Sequence, residues 1–234
     1  MATRPVFLPT TTSDLVLTKP IEFKWFPGMS VSQKQKSIAS LHNAACEGKA
    51  DCRLLEVSSK SSENIGLKLG AFNLHFHVDG QDDSLSVECA FQGSKVFQNG
   101  GPYTDLYGKS SLEAKRDKRL HESGRLVGFS FFDEEWPLEP KTAFYDWLYI
   151  TALKQQSGDI GNQISDYSGF TDIEFNPKKS INCQAYSLAL YIALTRQNLL
   201  ENSMENKGTF LEQMIKRNDQ PVKEIRAIQG ELFP

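Results

Sequence analysis

The sequence predicts an α+β fold: a predominantly helical single domain with a few short strands. Three observations predict it. Residues 141–156, rich in aromatics, and residues 182–200, apolar almost all round at Leu188, Ala189, Leu190, Ile192, Ala193 and Leu194, read as core helices. Residues 71–78 alternate instead, with Phe72, Leu74, Phe76 and Val78 interleaved with Asn73, His75 and His77, as in a half-buried strand. No repeat or low-complexity linker interrupts the 234 residues, and a hydrophobic content of 39% suffices to fill a core.

In chain order, residues 1–52 form an N-terminal strand-and-helix segment. Within it, residues 6–17 are a threonine-rich extended lead-in and 21–26 an aromatic, alternating strand. Ser30 caps a helix, with Gln33 as capping-box partner and Val31, Ile38, Leu41 and Ala45 on one face. Residues 53–200 make the main body: strands over 53–57 and 71–78, a turn over 79–84, and a helix over 87–97. A glycine-containing loop over 98–111 precedes a charged helix over 112–123 and the two core helices. Residues 201–234 are a polar extension with one amphipathic piece at 210–215.

A net charge of −3 gives no global attraction to nucleic acid or an anionic membrane, so any nucleic-acid contact needs a local patch. Cys46, Cys52, Cys89 and Cys183 make no C-x-x-C pair and only four histidines accompany them, which argues against zinc. Residues 1–12 lack the apolar stretch of a signal peptide and no run is long enough to span a bilayer. The expectation is a cytoplasmic chain with free thiols, although Cys46 and Cys52 lie close enough in sequence to pair.

The stretch with chemical content is SVECAFQGSKVF, residues 86–97. On a helix, Glu88, Gln92 and Lys95 fall four and three apart and share one stripe, with Glu88 and Lys95 about 10 Å apart along the axis. Such a stripe fits an ordinary solvated face. It also fits a pocket wall, in which a buried, neutral Lys95 attacks a carbonyl-like carbon while Glu88 moves protons.

At these residues the sequence resembles the NADAR (YbiA-like) family, whose signature is a Thr/Ser-x-Glu-x-x-Phe-Gln-x-x-Lys-Phe helix; Ser86, Glu88, Phe91, Gln92 and Lys95 match in order. LGAFNL, residues 69–74, stands where Leu-Ser-Asn-Phe is expected, with Ala71 in place of the Asn and Asn73 two positions on. Trp136-Pro137 and the helix after it also match. Residues 170–184, FTDIEFNPKKSINCQ, replace the family's glycine-rich loop, with Asp172 and Asn182 as the equivalents. Together with EVSSKS, residues 56–61, the pattern is similar to the NADAR antitoxins that accompany DarT-type DNA ADP-ribosyltransferase toxins. The resemblance implies an α+β NADAR-type core over 53–200 and a cofactor-free ADP-ribosylhydrolase. Its catalytic residues are Glu88 and Lys95, its substrate ADP-ribosylated guanine in DNA, its product ADP-ribose and its functional counterpart a DarT-type toxin. A riboflavin-pathway N-glycosidase or a non-catalytic binder of ADP-ribose or toxin are the alternatives.

Further ligand-binding candidates are Ser58, Ser59 and Lys60 for phosphate, Phe72 for stacking on a base, and Asn73, Gln92, Tyr103, Asp172 and Asn182. Lys109, Lys115, Arg116, Lys118, Arg119 and Arg125 form a local basic cluster, interleaved with Glu113, Asp117 and Glu122. It reads either as a solvated helix or, through Lys115 and Arg116, as a contact to the nucleic-acid backbone.

Overall fold

The chain begins with strands β1 (Ala2–Pro9) and β2 (Val16–Phe23), helix α1 (Val31–Cys46), strand β3 (Leu54–Glu56) and helix α2 (Asn64–Lys68). Then come β4 (His75–Phe76), β5 (Leu85–Ser86), α3 (Val87–Gly93), β6 (Lys95–Phe97), α4 (Ser111–Arg116), α5 (Arg119–Glu122), β7 (Leu126–Phe131), β8 (Glu134–Trp136) and α6 (Ala143–Gln155). Last are α7 (Asp159–Ser165), β9 (Gly169–Thr171), α8 (Gln184–Arg196), α9 (Leu200–Ser203) and α10 (Lys207–Lys216). This computed structural model describes residues 1–80, 82–156 and 159–216, so part of the turn expected over 79–84 and the end of the 201–234 extension lie outside the described residues. The α+β class is as the sequence predicts. Contacts gather the chain into two units, residues 1–70 with those from 159 on, and residues from 71 to 156.

In the first unit a four-stranded sheet has the order β2-β1-β9-β3. β1 and β2 pair antiparallel along their full length, where the lead-in expected over 6–17 has no strand partner. The register sets Pro5 opposite Pro20, so both missing N–H groups fall on one rung. β3 and β9 run parallel, Leu55 beside Phe170. α1 starts where the sequence places it: the Ser30 hydroxyl accepts from the Gln33 N–H. Its Ile38, Leu41 and Ala45 are buried with Val6, Phe23 and Leu54. The expected 182–200 helix appears as α8, packed on β1 and β9 and buried on nearly all sides. One expectation fails here. Cys46 and Cys52 are joined, not free: Gly48, at φ +71°, turns the chain back after α1 and brings their Cα atoms to 5.3 Å, within disulfide range. Cys89 and Cys183 are free and buried.

In the second unit a three-stranded sheet, β6-β7-β8, and a short β4-β5 pair accompany α3 and α6. Of the strand expected over 71–78 only His75–Phe76 pairs, with Phe76 buried and His75 exposed. The charged helix expected over 112–123 is two helices, because the Asp117 carboxylate captures the Arg119 N–H at 2.9 Å and turns the chain between them. The helix expected over 87–97 also ends early. α3 stops at Gly93, and Lys95 opens β6, because β7 takes the next backbone groups: the Ser130 N–H donates to the Ser94 carbonyl at 2.8 Å, and Lys95 pairs with Phe129.

Gly93 is required at that exit. A Cβ there would lie 2.5 Å from the Tyr107 ring and 3.2 Å from the Tyr103 carbonyl. Tyr107 has little room to withdraw, since its hydroxyl bonds Ser94 at 3.0 Å and its ring packs on Phe131 and Phe132. Gly93→Ala is expected to destabilise the fold by about 1–3 kcal/mol. A lower urea midpoint at constant slope would show it, and an unchanged midpoint would mean that Tyr107 yields.

Candidate active site

Within the second unit, Ser86 caps α3 by accepting from the Cys89 N–H at 3.1 Å. The helix it starts is buried along its whole length. Glu88 and Gln92, one turn apart, are therefore withdrawn from water, at 6% and 7% exposure. Gln92 Nε2 donates to Glu88 Oε1 at 2.9 Å, and Lys95 Nζ donates to Gln92 Oε1 at 2.7 Å. An amide has one donating and one accepting end, so Gln92 can bridge a carboxylate and an ammonium in this sense only. The order expected from the spacing is kept although Lys95 has left the helix for a strand.

A second cation meets the same carboxylate. Lys115 Nζ, on α4, lies 3.7 Å from Glu88 Oε1 and 5.0 Å from the centre of the Phe72 ring. Lys95 Nζ lies 4.7 Å from the centre of the Phe91 ring. Burial pulls the Lys95 pKa down to about 8, Glu88 opposes that shift and Lys115 adds to it. At pH 7 such an amine is neutral about one time in ten, against well under one in a thousand for an ordinary lysine. A partly neutral amine beside a buried carboxylate can add to an electrophilic carbon and pass its protons on.

The structure thus brings Glu88, Gln92, Lys95, Phe72 and Lys115 together. Asn73 is exposed, its carbonyl bonded to His75 Nδ1 at 2.7 Å. Arg116 is exposed at the end of α4. Tyr103 is half-buried, bonded to the Ser123 hydroxyl, with the Arg119 guanidinium 4.4 Å from its ring centre.

The remaining candidates belong to the first unit. Ser58 is buried and its hydroxyl donates to Glu56 Oε1 at 2.6 Å, whereas Ser59 is exposed and bonded by Lys60 Nζ at 2.9 Å. Asp172 is buried and accepts from the N–H groups of Glu174 and Phe175 and from Gln184 Nε2 at 3.0 Å. Asn182 is half-buried before α8 and its carbonyl accepts from Ser180 at 3.1 Å.

Site reasoning from sequence passes over Glu56 itself. It is buried and accepts from Ser58, from Thr171 Oγ1 at 2.7 Å and from the Ile173 N–H at 2.8 Å; His42 Nε2 bonds Thr171 in turn at 2.8 Å. Burial pushes the Glu56 and Asp172 carboxyls up, the Glu56 charge adding to the shift on Asp172, and burial drops His42 to about 4, so its imidazole is neutral. His42, Glu56, Ser61 and Glu63 help to line a cavity of about 260 Å³. The available signal was a glutamate set inside the apolar run LLEV.

No curated protein matches the chain. Residues 2–224 match the NADAR-DarT1 family, described as DarT1-associated NADAR antitoxin, and with nearly the whole length covered the chain belongs to that family.

Proposed function

We propose that this antitoxin is an ADP-ribosyl N-glycosidase that removes ADP-ribose from modified guanine in DNA. The observation that carries the reading is the hydrogen-bonded Glu88–Gln92–Lys95 series, buried at Glu88 and Gln92, which ends in an amine whose pKa is drawn down to about 8. Neutral Lys95 attacks C1″ of the ribose: an Nζ–C1″ bond forms and the C1″–N bond to the base breaks, the base nitrogen receiving a proton. Opening of C1″–O4″, with a second amine proton passing to O4″, leaves a Schiff base; Glu88 takes and returns these protons. Water then adds to C1″, the carbinolamine expels Lys95, and the aldehyde closes to ribose. The net change is one water consumed for one N-glycosidic bond broken. In this reading Arg116, exposed at the end of α4, meets a DNA phosphate.

Duplex or single-stranded DNA carrying ADP-ribosylated guanine tests this directly. Multiple turnovers of free ADP-ribose per protein are expected, with restored guanine in the DNA. Modified DNA held in a stable complex without release would make the chain a binder, and DNA neither bound nor changed would remove the reading.

A further inference from the structure

We propose that Lys115 is a positioning residue for Glu88 and Lys95 and not a contact to the nucleic-acid backbone: from α4 its ammonium meets the same carboxylate that accepts from Gln92 and acts on Lys95. This rests on the reading of Lys95 as the nucleophile, and it concerns how that amine is tuned.

The local fold aims Lys115 at Glu88. Ser110 and Glu113 form a reciprocal capping box that starts α4. Ser111, the first residue of the helix, bonds the Ser86 hydroxyl at 2.8 Å and donates to the Phe72 carbonyl at 3.0 Å, tying α4 to the start of α3. Lys115 stands four residues, one turn, beyond Ser111 and so shares its face. Its ammonium then reaches both Glu88 and the Phe72 ring.

Two lysines therefore face one buried carboxylate, and their environments differ. The Lys115 side chain is 57% exposed, so water supports its charge. Lys95 is half-buried, with Phe91 beneath it and Phe129 as its partner across the ladder. Among the described residues, the charged groups that act on Lys95 are Glu88 on α3 and Lys115 on α4. Burial draws the Lys95 amine down, and the Lys115 charge beside Glu88 adds to that shift. With Lys115 gone, Lys95 would lose a repelling neighbour and would hold its proton to higher pH.

The test reads the amine itself. In wild type, Lys115→Met and Lys115→Arg, acylation of Lys95 by acetic anhydride is followed across pH 6–11 by peptide mass spectrometry. The wild-type midpoint is expected near 8. In Lys115→Met it should rise by about one unit, lowering Lys95 reactivity at pH 7 about tenfold, while Lys115→Arg stays close to wild type. The rising limb of kcat/KM against pH should move with it, so that activity lost at pH 7 returns at high pH. An unmoved acylation midpoint in Lys115→Met overturns the proposal, whether DNA binding weakens or not. A lower activity plateau with an unshifted limb overturns it too. A shifted midpoint in a protein that releases no ADP-ribose would uphold the tuning by Lys115 and remove the glycosidase reading alone.

Discussion

Lys95→Ala should lower ADP-ribose release from modified DNA by on the order of 10³-fold or more, because under the proposed mechanism it removes the atom that forms the covalent bond. The loss should not come from unfolding. Lys95 is half-buried at the start of β6, and its backbone pairing with Phe129 does not depend on the side chain. Thermal unfolding should therefore change little. Borohydride added during turnover should fix an ADP-ribose-sized adduct on wild-type protein, mapped to Lys95 and missing from Lys95→Ala. The wild-type rate should climb with pH and level off above about 8, since only the neutral amine attacks; below that midpoint it should fall about tenfold per pH unit. Full turnover by Lys95→Ala, or an adduct on another lysine, would exclude the nucleophile.

Glu88→Gln is expected to cost about 10²–10⁴-fold in rate, the range for loss of a general acid–base group. The substitution keeps the size of the side chain, so the packing of α3 should survive. What it removes is the carboxylate shared by Gln92 and Lys115, whose charge also acts on Lys95. In cells the same change separates chemistry from capture. An enzyme that reverses the lesion protects at low copy number, whereas a sequestering antitoxin must match its toxin in amount. Co-expressed with a DarT1 toxin, folded Glu88→Gln should fail to protect, and ADP-ribose should persist on the DNA. Full protection by this variant would mean that the antitoxin acts by binding.

The helices were legible because their determinants are local. Ser30 three residues before Gln33 caps α1, and the apolar run around Leu188–Leu194 admits only a buried helix. The short amphipathic piece near Phe210 is α10, with Phe210 and Met214 four apart and both buried. The Glu88, Gln92 and Lys95 spacing was equally readable, and the family likeness gave it a chemical meaning that periodicity alone lacks.

Strand partners were not readable. β1 and β2 owe their pairing to one another, and Phe7 meets Phe170 across more than a hundred and sixty residues of chain. Lys95 looked helical because a lone Gly93 does not by itself end a helix; a ladder with β7, thirty residues on, ends it there. The Cys46–Cys52 bond likewise follows from the turn that closes α1, not from the cysteine count. The sequence by itself determined that Glu88, Gln92 and Lys95 stand four and three apart, and in what order. Only the tertiary structure decided that Glu88 is buried, that Lys95 is desolvated and that Lys115 faces the same carboxylate. Identity and spacing are written along the chain, whereas burial and electrostatic environment arise from residues that folding brings together.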